Sequence, residues 1–313
     1  MDVFEDGASR VLSVTIGEKG EECPPPKPLL VAAPSNPAPA DGFPVLILFH
    51  GFCLSNLFYR QLMRHIASHG FIVVAPQMYR FAGPDASPEI EDAAAIISWV
   101  PGNLHRFLPA DGVRADATKL AIAGHSRGGK VAFSLALGFS KRSLPSRVSA
   151  LIALDPVDGT SSASQTNPPV LRYRKDSLQP NCPVLIIAAG YGGEKKNFLF
   201  PACAPRGVGP LAFFRDCCAP AFLLSAPEHG HFDFLDDATS GLKGGLTSLV
   251  GKNGKARKPM RIFTAGAIVA FLQAVFRSTA GGGGNRFEEL LHDTNTAPVK
   301  LDPPEWNGEI HKI

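Results

Sequence analysis

The chain has 313 residues, and Lys+Arg 31 against Asp+Glu 28 leaves a formal charge of +3. With 45% hydrophobic and 19% charged residues it is neither disordered nor fibrous, and the near-neutral balance gives no basis for a nucleic-acid partner. No apolar run approaches the roughly 20 residues a membrane-spanning helix needs, and six cysteines without a CxxC pair make neither a disulfide scaffold nor a zinc ribbon.

Asp2, Glu5 and Asp6 open the chain with acids, which reads against a signal or transit peptide. Residues 11–16 alternate apolar and polar like a half-exposed strand, and residues 29–33 form a second strand after a Pro-rich turn. Residues 44–49, 71–75, 120–123, 150–154, 184–189 and 221–224 are continuous apolar runs, the pattern of strands covered on both faces of a parallel sheet. Helical stretches lie between them at 54–68, 91–108 (interrupted at Pro101-Gly102) and 127–138, with a last helix near 260–277. This alternation predicts an α/β fold: a mostly parallel central sheet with helices on both faces and an antiparallel edge formed by the two leading strands.

Residues 190–220 lack periodicity and are rich in Gly, Pro and aromatics, which reads as an insertion covering an active site. Gly281 to Gly284 reads as a flexible linker, and the polar tail to residue 313 is expected to pack loosely. One domain over 1–280 with a tail is the expected organisation.

The strongest chemical signal is Gly124-His125-Ser126-Arg127-Gly128, which fits G-x-S-x-G between an apolar strand and an amphipathic helix. Strand, sharp turn and helix are the setting of the α/β-hydrolase nucleophile elbow, with Ser126 at the head of the helix. A serine hydroxyl needs a base, and in this fold the chain order is Ser, acid, His. His229, His231, His292 and His311 follow Ser126, and the last two lie beyond the Gly-rich stretch. Gly230 permits a turn that swings an imidazole over the sheet, which favours His231 over His229. Asp155, Asp158 and Glu194 remain open as the acid, Asp155 standing directly after an apolar strand and fixed by Pro156. The oxyanion hole is expected from the backbone N–H groups of Arg127 and of Phe52, in the loop His50-Gly51-Phe52-Cys53. His50 reads as a support for that loop.

Gly124-His125-Ser126-Arg127-Gly128-Gly129 resembles the lipase-type motif of plant chlorophyllases, with Arg where most related esterases carry Met, Leu or an aromatic. Residues 46–52 (LILFHGF), 71–77 (FIVVAPQ), 154–159 (LDPVDG) and 230–237 (GHFDFLDD) also look like segments of that family, the last with Phe where Met is expected. The likeness spans about 10 to 280 and omits the Gly-rich tail. It implies cleavage of the phytyl ester of chlorophyll by a triad of Ser126, Asp155 and His231, without a cofactor or a protein metal site. It also implies a wide apolar cleft, for which Phe58, Phe198, Phe213 and Phe214 are the expected walls, and peripheral contact with a membrane. The family context points to the chloroplast, while the acidic N-terminus leaves cytosol or endoplasmic reticulum open. Two other readings remain: a general carboxylesterase, lipase or polyester hydrolase, and a hydrolase-fold protein that binds an apolar ligand without turning it over.

Overall fold

The computed structural model describes residues 2–17, 23–108, 110–145, 147–198, 200–276 and 285–308. In chain order the strands are β1 (Val11–Ile16), β2 (Leu29–Pro34), β3 (Phe43–Phe49), β4 (Ile72–Pro76), β5 (Ala115–His125) and β6 (Val148–Leu154). They continue with β7 (Gly159–Ser161), β8 (Ser164–Gln165), β9 (Val184–Ala189), β10 (Ala221–Ala226) and β11 (Glu305–Asn307). The helices are α1 (Arg60–Ser68), α2 (Ser87–Asn103), α3 (Arg127–Ala136), α4 (Pro210–Asp216), α5 (Gly241–Val250), α6 (Arg257–Val275) and α7 (Arg286–His292).

Among the described residues the main sheet has nine strands in the order β1-β2-β4-β3-β5-β6-β9-β10-β11. From β4 to β10 every pairing is parallel, whereas β2 runs antiparallel to both its neighbours and β11 antiparallel to β10. The apolar runs are continuous because helices cover both faces. Val45, Ile47 and Phe49 of β3 enter one core with side chains of α2 and α3, while Leu46 and Leu48 enter the other with those of α1 and α6. This is the α/β-hydrolase arrangement. The chain leaves β3 for β4 on one side and returns to β5 on the other, so the carboxyl ends of β3 and β5 flank a topological switch point where such sheets bind ligands.

Several expectations are revised. The helix expected to break at Pro101 continues to Asn103, because Pro101 falls in its last turn, where few backbone bonds remain to be lost. The stretch 54–68 opens as a 3-10 turn at Asn56–Tyr59 before α1 begins. The tail does not pack loosely: Phe287, Leu290 and Leu291 of α7 are buried in the core beside α6, and Glu305–Asn307 closes one sheet edge against β10. The expected linker Gly281 to Gly284 lies outside the described residues.

Candidate active site

The turn after β5 holds Ser126 at φ 55° and ψ −122°, a conformation that non-glycine residues rarely adopt and that recurs at functional sites. The turn is so tight that a Cβ on Gly124 would sit 2.0 Å from the Gly128 carbonyl oxygen, and one on Gly128 would sit 2.2 Å from that of Phe49. Only glycine fits at either place. The Ser126 amide extends the parallel ladder by donating to the Leu154 carbonyl at 2.9 Å, and α3 begins at the next residue. The hydroxyl thus stands at a helix N-terminus, where free N–H groups and the helix dipole favour negative charge.

Asp155 stands at the end of β6, fully buried, with φ 42°. One carboxylate oxygen accepts the Ala189 amide at 3.1 Å and the other accepts from His231 Nδ1 at 2.6 Å. A Cβ on Gly192 would fall 2.3 Å from that second oxygen, so the loop after β9 closes over the pair only because Gly192 has no side chain. With Nδ1–H committed to Asp155, the imidazole presents a bare Nε2, the form a general base requires.

The remaining acid candidates are engaged elsewhere. Asp158 is fully buried and accepts from Lys130 Nζ, from Gln165 Nε2 at 2.7 Å and from the Val170 and Leu171 amides at 2.9 and 2.8 Å. Glu194 pairs at the surface with Lys252 at 2.5 Å. His229 faces Asp233 at 3.5 Å, His292 packs edge-on against Trp306, and His311 lies outside the described residues.

The loop expected to supply an oxyanion-hole amide is held by His50. Burial drives its pKa down to about 4, so the ring is neutral. Its Nε2 lies 3.0 Å from the Met78 amide, which can only donate, so Nδ1 carries the proton and donates to the Gly51 carbonyl at 2.9 Å. That carbonyl also accepts the Leu54 amide at 3.2 Å. The two bonds fix the plane of the Gly51–Phe52 peptide, and a trans peptide directs the Phe52 N–H away from the side its carbonyl faces. The Arg127 guanidinium lies 5.7 Å from the centre of the half-exposed Phe52 ring. It is clamped by Glu89 of α2 through two bonds of 2.9 and 2.6 Å and donates to the Asp85 carbonyl at 3.0 Å. Burial raises the Glu89 carboxyl in spite of Arg127.

Ser126, Arg127, His231 and Phe52 line one cleft of about 690 Å³. Its apolar wall includes Leu54, Pro84, Phe232 and Val250, and its polar side is Thr160, Ser164, Gln165 and Thr166 on the β7–β8 hairpin. The insertion after β9 contributes Pro201, Ala202, Cys203 and Pro205, and burial lifts the Cys203 thiol to about 11. The four phenylalanines expected as walls are not among the lining residues. Phe58 and Phe213 are buried in the two cores, Phe213 against Phe133. Phe214 packs beside the second core, and Phe198 points outward with 92% of its surface exposed. The aromatic runs in the sequence carried hydrophobicity without direction, and packing sent most of it inward.

Sequence reasoning missed Lys130, fully buried on α3 and paired with Asp158 beneath the site. A lone charge in the apolar stretch after the elbow was the signal. Nothing in the sequence marks the contact of Tyr59, whose hydroxyl lies 2.7 Å from His125 Nδ1.

A family model described as Chlorophyllase matches residues 1–307. The chain is 46% identical to Chlorophyllase-2 of Arabidopsis thaliana over 270 residues, covering 86% of this chain and 83% of that protein. It is 37% identical to Chlorophyllase-1 of the same plant over 303 residues, 96% of this chain and 91% of that one. Chlorophyllase-1, chloroplastic, of Citrus unshiu is 38% identical over 312 residues, 98% and 89% of the two chains.

Proposed function

The chain belongs to the chlorophyllase family, an ester hydrolase with a small-molecule substrate, and from that premise we propose that Ser126, Asp155 and His231 cleave the phytyl ester of chlorophyll to chlorophyllide and phytol. The observation that carries this reading is the 2.6 Å His231–Asp155 pair at the base of the cleft onto which Ser126 opens. His231 Nε2 takes the Ser126 proton as Oγ attacks the propionate carbonyl. The resulting oxyanion is met by the Phe52 and Arg127 amides, and Asp155 stabilises the imidazolium. Collapse of the tetrahedral adduct expels phytol, which takes its proton from His231. Water, deprotonated by the same imidazole, then releases chlorophyllide from the serine. The magnesium of chlorophyll is carried by the substrate and enters no step. The apolar wall suits the isoprenoid chain and the macrocycle face, and the polar hairpin suits the carbonyls of the macrocycle rim.

Peripheral contact with a lipid surface belongs to the same proposal. Phe52 lines the cleft, and Phe81, at 89% exposure, follows Arg80, whose carbonyl accepts from Lys243 at 2.9 Å. Apolar rings beside basic groups suit an anionic interface. No helix among the described residues is long and apolar enough to cross a membrane. The name of the Citrus relative supports a chloroplast location.

The test is a phase-partition assay of purified protein with chlorophyll a, alongside a short p-nitrophenyl ester and Ser126→Ala. The expected outcome is green chlorophyllide in the polar phase with wild type and a loss of about a millionfold in turnover of both substrates in the variant. Turnover of the short ester without chlorophyll would favour a general carboxylesterase. Appreciable turnover by Ser126→Ala would remove the serine from the mechanism.

A further inference from the structure

Tyr59 ends the 3-10 turn before α1, His125 is the last residue of β5, and both side chains are fully buried. Their rings pack 5.9 Å apart, and the His125 ring lies 4.7 Å from that of His231. The hydrogen bonds between them have only one consistent direction. His125 Nε2 lies 2.8 Å from the carbonyl oxygen of His231, which can only accept, so Nε2 carries the proton. Burial, with His231 nearby, holds the His125 pKa well below the ordinary range, so the ring is neutral and Nδ1 is bare. Tyr59 Oη, 2.7 Å from Nδ1, must therefore donate, and the same burial keeps the phenol protonated. The phenol oxygen is then left to accept the Gly51 N–H at 3.3 Å.

The result is one unbroken chain, Gly51 N–H to Tyr59 O–H to His125 Nδ1, and His125 Nε2–H to the His231 carbonyl. Its ends and middle fall beside each reacting part of the site. Gly51 precedes Phe52, His125 precedes Ser126, and the terminal acceptor is the backbone of His231. Gly51 and His231 lie in the loops after β3 and β10, and His125 ends β5, so the chain links three segments that are distant in sequence. Bonds aligned head to tail in a dry interior polarise one another.

We infer that Tyr59 and His125 are positioning residues, which hold the oxyanion loop, the serine turn and the histidine loop in one register without touching substrate. This rests on the triad proposed above. A pair of apolar side chains would fill the same volume, so a purely structural role predicts that removing the hydroxyl affects stability alone. A positioning role predicts a fall in kcat at nearly unchanged KM, because a small misplacement of reacting groups lowers the rate steeply.

The experiment compares wild type, Tyr59→Phe, His125→Gln, the double variant and Ser126→Ala. The readouts are kcat and KM on a short p-nitrophenyl ester, the rate of serine labelling by a fluorophosphonate, and the urea midpoint. Tyr59→Phe is expected to lower both kcat and labelling by about tenfold to a hundredfold, with KM held within about twofold. His125→Gln keeps a donor for the His231 carbonyl, but its acceptor is an amide oxygen rather than the ring nitrogen that meets the Tyr59 hydroxyl. It should therefore lose a similar amount, and the double variant no more than the worse single one, because both act through one chain. His125→Gln carries the test alone if Tyr59→Phe does not fold. A kcat within about twofold of wild type, or losses that multiply in the double variant, overturns the inference. Labelling that survives in Ser126→Ala instead overturns the triad on which the inference rests.

Discussion

Two buried imidazoles, His50 and His125, tie the stability of this molecule to pH. His50 titrates at about 4 and His125 well below its ordinary range, both through burial, whereas histidines of the unfolded chain titrate near 6.5. Below that value the unfolded state takes up protons that the native state refuses. The stabilisation is complete above pH 6.5 and is lost as pH falls toward 4. Asp236, raised to about 6 by burial, works in the opposite sense and offsets part of this loss as pH falls through 6. Between pH 7 and 5.5 His50 alone should remove about 1 kcal/mol, with His125 adding to it in the same direction. Urea midpoints measured across that range should fall, and a flat profile would mean that these rings are protonated in the folded state. Neither behaviour is legible in His-Gly or Gly-His-Ser, because a histidine's charge is set by what surrounds it. The identity of Ser126 was legible, since the glycines on either side admit few other structures.

At the scale of the element, α3 joins the proposed active site to the core through two ion pairs. Its first residue, Arg127, is clamped to Glu89 of α2, and Lys130 one turn on is paired with Asp158 in full burial. The elbow of β5, turn and α3 was readable because local requirements dictate it: an apolar strand, small residues at the turn, and a helix behind. The partner of Lys130 was not readable, since it lies 28 residues away. Buried pairs are demanding when one member is removed. Asp158→Leu strands the ammonium and deprives the Val170 and Leu171 amides and Gln165 of their acceptor, so a loss of about 3 to 5 kcal/mol is expected in urea unfolding. Lys130→Met should be milder, because Asp158 keeps three donors. The double variant Lys130→Met with Asp158→Leu should recover part of the loss. Equal losses for the two single variants would count against the geometry.

For the molecule as a whole, the proposed lipid contact bears on how an insoluble substrate would reach the cleft, and Phe81 precedes Ala82 of the cleft lining. Phe81→Asp removes a ring that is 89% exposed and places a charge where the proposed lipid contact lies. Flotation with anionic vesicles and turnover of vesicle-borne chlorophyll should both fall several-fold, while a soluble short ester is hydrolysed as before. Unchanged flotation would end the membrane proposal. The scaffold that presents this surface was largely foreseeable, because strands covered on both faces must be apolar throughout and the alternation with helices permits few topologies. The C-terminal segment was misjudged for a related reason. Its composition is polar, but Phe287, Leu290 and Leu291 suffice to seat α7, and Glu305–Asn307 found an open sheet edge. The sequence by itself determined the parallel sheet, the strained serine and the order of the groups that follow it, because each depends on local periodicity or on glycine at a fixed offset. Only the tertiary structure decided which side chains wall the cleft and that Tyr59 and His125 bridge three loops. Those choices depend on distances between residues far apart in the chain, and nothing short of the packed core specifies them.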